Sequence, residues 1–259
     1  MANYSCVEVE RDGAYTTIWM NLPDKRNALS LEHMQELTAA FREAGESDAL
    51  GVILGGRGKV FSAGHDFADM AGADLAQMRR LLGACTELMT TIQTIPQPVI
   101  ARVHALATAA GCQLVASCDL AIAADTAGFA VPGGKGGWFC TTPMVAVGRA
   151  VGRKRALEMA FTGDPIDTAT AADWGLINRA VPADELDAAV RDLIERSTRG
   201  SASSKAIGKQ AFYAQIDLDQ PKAYAYAVEV MASASQTPDA REGVAAFLEK
   251  RKPKFGVSG

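Results

Sequence analysis

Apolar and polar positions alternate through two short runs at the start of the chain, 4 to 11 and 15 to 21, parted by Asp12-Gly13. A period of two argues for strands, and an Asp-Gly pair tolerates the positive φ of a tight turn, so the pattern predicts a β-hairpin. Beyond Asn21 to Leu29 the period changes. Ser30 stands where a side-chain oxygen can cap a helix, and Leu31, Met34, Leu37 or Thr38, and Phe41 recur at helical spacing. Gly51 to Gly55 then reads as a buried strand, followed by a helix over about Leu75 to Thr94, a strand at Pro98 to Val103, a helix at Ala110 to Ser117 and a strand at Asp119 to Ala124. Repeated strand–helix–strand crossovers predict an α/β body.

Past Thr142-Pro143 the β signal fades. Pro143 suits a first helical turn, and Gly175 is placed to end a helix holding Ala171, Ala172 and Trp174. A strand is predicted at Leu176 to Val181, and the segments 183 to 197, 202 to 215, 221 to 235 and 239 to 250 carry helical apolar stripes. Residues 1–197 are therefore expected to form an α/β core and residues 198–259 a helical appendage, whose stripes predict contacts between subunits if they stay exposed.

Composition narrows the function classes. With 48% hydrophobic and 22% charged residues the chain is expected to be globular, and its 259 residues suit one large domain. A net charge of -4 provides no general basic field, so neither nucleic acid nor a membrane surface is an expected partner, and an anionic ligand must be held locally. The five cysteines, Cys6, Cys85, Cys112, Cys118 and Cys140, form no CxxC pair, which disfavours a zinc ribbon or a disulfide framework and fits a reducing compartment. Met1 to Glu10 carries no leader pattern, and the expected location on this reading is cytoplasmic.

Several general motifs fail on spacing. Gly133-Gly134-Lys135-Gly136-Gly137 lacks the phosphate-loop arrangement, Ser62 has no glycine two residues before it and so is no nucleophile elbow, and His33, His65 and His104 lack paired metal-ligand spacing. No metal site or prosthetic group is expected. Thr108-Ala109-Ala110-Gly111-Cys112-Gln113 is different, because small residues at the mouth of a helix let free N–H groups meet a developing oxyanion. The same residues would also serve close helix packing alone.

Pro23-Asp24-Lys25-Arg26-Asn27-Ala28-Leu29, Val60-Phe61-Ser62-Ala63-Gly64-His65-Asp66 and the Ala109 to Gln113 turn, in that order, resemble the enoyl-CoA hydratase/isomerase (crotonase) superfamily. The resemblance continues through Phe161-Thr162-Gly163-Asp164 and Arg241 to Lys252, covering essentially the whole chain. Leu106 to Leu120 with Gly137 to Pro143 is similar to the enoyl-CoA hydratase domain-containing protein 3 type. The resemblance implies a crotonase (ClpP-like) fold, a spiral of ββα units whose carboxy-terminal helices make a homotrimer or a dimer of trimers, and an acyl-CoA substrate whose coenzyme A is part of the thioester. It places the two backbone donors to the thioester carbonyl at His65 and Ala110, and coenzyme A beside Arg26, Ala28, Ala63, Asp66 and Phe67.

The sequence departs from the family where its hydratases hold water between two glutamates. The corresponding positions are Gln113, whose amide cannot accept and return a proton at neutral pH, and Gly133, which has no side chain. The expectation is an acyl-CoA lyase or isomerase that stabilises an enolate, with poor or no hydratase activity. The alternatives are an enzyme similar to methylmalonyl-CoA decarboxylases, suggested by His65-Asp66, and a non-catalytic acyl-CoA-binding protein. Trp138, Phe139 and Cys140 are expected as apolar pocket wall, and Glu87 and Asp69 as solvated or supporting acids.

Overall fold

The computed structural model describes residues 4–256; residues 1–3, and with them the start of the expected leader-free segment, lie outside the described residues, as do 257–259. Val7–Asp12 (β1) and Tyr15–Met20 (β2) form the antiparallel hairpin, turning through Gly13 at φ 56°. Ser30 caps Leu31–Glu46 (α1) by accepting the His33 N–H. Gly51–Gly56 (β3) follows, then the short helix Phe67–Met70 (α2), the long helix Leu75–Thr94 (α3), Val99–Val103 (β4), Ala107–Thr108 (β5), Ala110–Ser117 (α4) and Leu120–Ala124 (β6). α3 begins where it does because Asp74 and Gln77 satisfy each other's backbone N–H groups in a capping box.

A six-stranded sheet runs β1-β2-β3-β4-β6-β9, parallel after the first hairpin, with Arg179–Val181 as β9. Strand alternation divides its side chains between two cores. Ile18, Met20, Val52, Leu54, Val99, Ala101, Val103 and Ala121 pack with α1, α3 and α4 on one face. Tyr15, Ile53, Ile100 and Ile122 pack on the other against Leu186, Val190 and Ile194 of the helix Leu186–Thr198 (α8). Both faces are covered, which is why these strands read as continuous apolar runs.

A second sheet orders β5, β7 (Gly128–Ala130) and β8 (Ile166–Asp167). Its strands have two or three residues, too few for a period to show. Between them lie Pro143–Val151 (α5) and Arg153–Thr162 (α6), and Thr168–Trp174 (α7) ends on Gly175 at φ 85°. The strand expected over Leu176 to Val181 is shorter, because the Leu176 N–H turns back to the Ala171 carbonyl (2.9 Å) to finish the α7 cap.

From Ala202 the described chain is helical: Ala202–Gln215 (α9), Gln220–Ala234 (α10) and Pro238–Leu248 (α11). Lys209 of α9 is fastened to the body. Its ammonium pairs with Asp119 (2.7 Å) and donates to the Ile92 and Gln97 carbonyls (2.8 Å each), while the Tyr213 hydroxyl donates to Asp119 (2.8 Å). Among the described residues no helix is long and apolar enough to cross a membrane.

Candidate active site

Two loops meet at one helix mouth. The first begins with Arg26 and Asn27, both at positive φ (54° and 50°). Asn27 is fully buried; its amide donates to the carbonyls of Arg57 (2.8 Å), Val60 (3.0 Å) and Phe61 (3.0 Å), and its oxygen accepts the Leu22 N–H (2.9 Å). The Ser62 hydroxyl donates to the Asn27 carbonyl (2.8 Å), and the Ala63 N–H donates to the Arg26 carbonyl (3.0 Å). Leu29 then bridges the chain on either side of His65, donating to the Gly64 carbonyl (2.7 Å) and accepting the Asp66 N–H (3.3 Å). The intervening His65 N–H has no acceptor among the described residues.

The second loop enters α4 through Ala109, which holds the unusual conformation φ 51°, ψ -118° and donates its N–H to the Ala130 carbonyl (2.8 Å). A strained alanine at this point persists because its surroundings over-determine it. The first α4 bond runs from the Gln113 N–H to the Ala109 carbonyl (3.0 Å), so the Ala110 amide precedes the helix ladder and has no acceptor among the described residues.

Glycines let the loops touch. A Cβ on Gly64 would lie 2.9 Å from the Ala109 Cβ and 3.2 Å from the Ala110 nitrogen, and one on Gly111 would lie 2.5 Å from the Ser62 carbonyl oxygen. The free amides of His65 and Ala110 therefore belong to two loops in direct contact. Fixed N–H donors of this kind match the needs of a carbonyl oxygen gaining negative charge.

The other residues singled out by sequence fall into distinct places. Ala28 is half-buried and its carbonyl meets the His33 ring (2.9 Å). Arg26 and Phe67 are exposed. Asp66 caps α2 through the Ala68 N–H (2.9 Å) and lies 4.0 Å from the Lys25 ammonium. Gln113 is buried on α4, its side-chain oxygen facing the Cys85 thiol at 3.7 Å. Asp69 accepts the Leu31 N–H (2.7 Å) at the start of α1, and Glu87 pairs with Arg42 at the surface (2.6 Å).

The His65 ring has both nitrogens buried without a hydrogen-bond partner among the described residues. Burial lowers its pKa below the ordinary 6.5, outweighing the nearby Leu29 carbonyl, so the ring is neutral at pH 7. Burial pushes the Cys112 thiol up to about 12 and also raises Cys140. Neither is a thiolate at neutral pH.

Gly133 has no room for a side chain: a Cβ there would sit 2.3 Å from the Trp138 carbonyl oxygen and 2.6 Å from Cys140 Sγ. Of the expected apolar wall only Cys140 is buried; Trp138 and Phe139 are exposed, with Phe139 tilted against Phe161. Sequence reasoning gave no role to Asn27 or Ala109. The Asn at the centre of Lys25-Arg26-Asn27-Ala28 was the available signal for the first, since asparagine tolerates the left-handed region; an alanine gives none for the second.

The enoyl-CoA hydratase/isomerase family model matches residues 10–258. Enoyl-CoA hydratase domain-containing protein 3, mitochondrial, of Rattus norvegicus is 42% identical over 246 residues, covering 94% of this chain and 82% of the relative. The probable enoyl-CoA hydratase echA8 of Mycobacterium bovis is 34% identical, covering 97% and 98%. Among solved structures, an enoyl-CoA hydratase of Mycobacterium smegmatis has TM-score 0.93 at 43% identity, covering 96% of this chain and 98% of that one. The human enoyl Coenzyme A hydratase domain-containing protein 3 has TM-score 0.92 at 38% identity, covering 96% and 100%. The expectation of a cytoplasmic location is overturned, since the rat, mouse and human relatives are named as mitochondrial proteins. That expectation rested on the cysteine spacing, which is shared by reducing compartments in general, and on the pattern of Met1 to Glu10. With its crotonase fold and a family match along nearly its whole length, the chain belongs to the enoyl-CoA hydratase/isomerase family.

Proposed function

We propose that the protein binds an acyl-CoA thioester with its carbonyl oxygen between the His65 and Ala110 amides and stabilises the enolate formed from it. The observation that carries this reading is the pair of N–H groups that have no acceptor among the described residues, on two loops joined at Gly64. Coenzyme A lies along the turn of Arg26, Ala28 and Ala63, with Asp66 and Phe67 beside it. Donors fixed away from water favour the charge that appears only as the carbonyl becomes an enolate, and one such donor is worth about 10²- to 10³-fold in rate.

Hydration also needs a proton acceptor and donor beside the double bond, together worth at least about 10²-fold. Gln113 cannot exchange a proton, and position 133 has no side chain and no space for one. Hydration is accordingly slow. The enolate's proton is exchanged by another group, or the enolate arises by loss of carbon dioxide, which needs no base to form it. The neutral His65 ring, buried with both nitrogens unpartnered, supports this second route as the alternative reading.

Residues 1–197 hold the site and residues 198–259 serve oligomerisation as a homotrimer or dimer of trimers. The exposed Phe212, Tyr224, Val228, Met231 and Phe247 on α9–α11 support this. The test is calorimetric binding of crotonyl-CoA alongside turnover of crotonyl-CoA and methylmalonyl-CoA by the same preparation. Binding with weak hydration supports the reading, and absence of binding overturns it. Binding with no turnover of any thioester identifies an acyl-CoA-binding homologue that has retired its chemistry.

A further inference from the structure

We infer that His33 is a positioning residue: its buried ring holds the Ala28 carbonyl and, through the adjoining Leu29, fixes the direction of the His65 amide. This rests on the functional reading above and adds to it a residue that acts through others.

His33 lies in the first turn of α1 and is fully buried. Its Nδ1 stands 2.9 Å from the Ala28 carbonyl oxygen. A carbonyl can only accept, so Nδ1 carries the proton and this bond sets the tautomer. Nε2 is buried with no hydrogen-bond partner among the described residues, and burial keeps the ring neutral at pH 7 by lowering its pKa. Glu36, one turn further along α1, spends its carboxylate on the Ser5 and Cys6 N–H groups (2.9 and 2.7 Å). A ring with one nitrogen left unpaired in the core costs stability, and a leucine would fill the place without that cost. Packing alone therefore does not account for a histidine here, whereas the bond to Ala28 does.

That bond is half of a clamp on Leu29. The His33 ring holds Ala28, the residue before it, and the His33 N–H donates to the Ser30 hydroxyl, on the residue after it (3.1 Å). Leu29, itself fully buried, donates its N–H to the Gly64 carbonyl (2.7 Å) and accepts the Asp66 N–H at a longer 3.3 Å. The Gly64 carbonyl and the His65 N–H belong to one planar trans peptide and point in opposite directions, so whatever holds the first aims the second. His33 thus reaches the donor in three links, from its ring to Ala28, from Ala28 to Leu29 along the chain, and from Leu29 to the Gly64–His65 peptide. Small errors in such an aim are costly, a displacement of about 1 Å being worth about 10²-fold in rate.

The test is isotope-edited infrared spectroscopy of carbonyl-labelled crotonyl-CoA bound to wild type, His33→Asn, His33→Gln and His33→Leu, with urea denaturation confirming the fold of each. Asparagine can place an amide N–H where Nδ1 stands, glutamine carries its donor one carbon further out, and leucine fills the space with no donor. We expect wild type to displace the carbonyl stretch to lower frequency and His33→Asn to keep that displacement. His33→Leu and His33→Gln should lose about half of it or more, and turnover of any thioester that wild type processes should fall about tenfold or more. The urea midpoint of His33→Leu should equal or exceed that of wild type, which separates lost aim from lost stability. Should His33→Leu not fold, asparagine against glutamine decides, since both bury an amide and differ in where the donor stands. The same displacement in every variant, or a loss in His33→Asn as large as in His33→Gln, overturns the positioning role and leaves the functional reading intact. A wild type that binds crotonyl-CoA without displacing its carbonyl stretch overturns both.

Discussion

Replacing Gly64 by alanine separates the two things that glycine does. Its φ of +85° lies where an L side chain is strained, and an added Cβ would press on the Ala109 Cβ at 2.9 Å, the Thr108 carbonyl oxygen at 3.0 Å and the Ala110 nitrogen at 3.2 Å. Gly72 has a similar φ of +74° with nothing within 4 Å of the added carbon, so Gly72→Ala carries the backbone strain alone. Strain of this kind costs about 1–2 kcal/mol. Forcing a methyl against backbone that must move adds about 1–3 kcal/mol. Gly64→Ala should therefore lose about 2–5 kcal/mol in urea denaturation and Gly72→Ala about 1–2 kcal/mol. The decisive readout is binding and turnover of the thioester, because displacing Ala110 pulls one donor out of line. Activity should fall about 10²- to 10³-fold for Gly64→Ala and stay within about threefold for Gly72→Ala. If Gly64→Ala lowers stability as calculated yet handles the thioester as Gly72→Ala does, the carbonyl does not lie between these loops.

Other consequences are independent of that experiment. Gly133→Glu, alone or with Gln113→Glu, should fail to raise crotonyl-CoA hydration and should lower the melting temperature, because its Cβ meets the Trp138 carbonyl at 2.3 Å; a gain in hydration would show that the 133–140 loop yields. Asn27→Ala strips partners from the buried Phe61 carbonyl, the part-buried Arg57 and Val60 carbonyls and the Leu22 N–H and should cost about 2 kcal/mol or more by chemical denaturation. Lys209→Met leaves the partly buried Asp119 without its cation and should cost about 2–4 kcal/mol, with hydrogen exchange in α9 accelerated before that in α1. The three histidines are held neutral by burial, with pKa values below 6.5. Their neutral forms stabilise the fold fully above 6.5, and that contribution declines as pH falls below it, since the unfolded chain takes up protons the folded chain resists. Imidazole NMR titrations with midpoints at or above 6.5 would contradict this.

Where local chemistry decides the structure, the sequence was readable. Ser30 and the Gly175 terminus announced themselves because caps work through neighbours in sequence, and the central strands did so through unbroken apolar runs buried on both faces. The helix mouth at Ala110 was likewise visible as small residues ahead of an apolar stretch. What escaped depends on chain segments meeting from a distance. Nothing in Gly133 itself says that Trp138 and Cys140 return to fill its side-chain space. Ala109 gives no hint of its positive φ, which the Ala130 bond and the packed Gly64 impose from outside. The end of the predicted strand at Leu176 was lost to the α7 cap, a competition between two uses of the same backbone that periodicity does not resolve.

The central claim is that two backbone amides grip a thioester carbonyl, and the vibration of that carbonyl reports it directly. Isotope-edited infrared difference spectra of crotonyl-CoA labelled with carbon-13 at the carbonyl should be recorded free, bound to wild type and bound to Gly64→Ala. The account predicts a carbonyl stretch displaced to lower frequency on wild type, the mark of a bond polarised by two donors, and a smaller displacement on Gly64→Ala. A bound thioester whose carbonyl absorbs at its solution frequency on wild type would contradict the account.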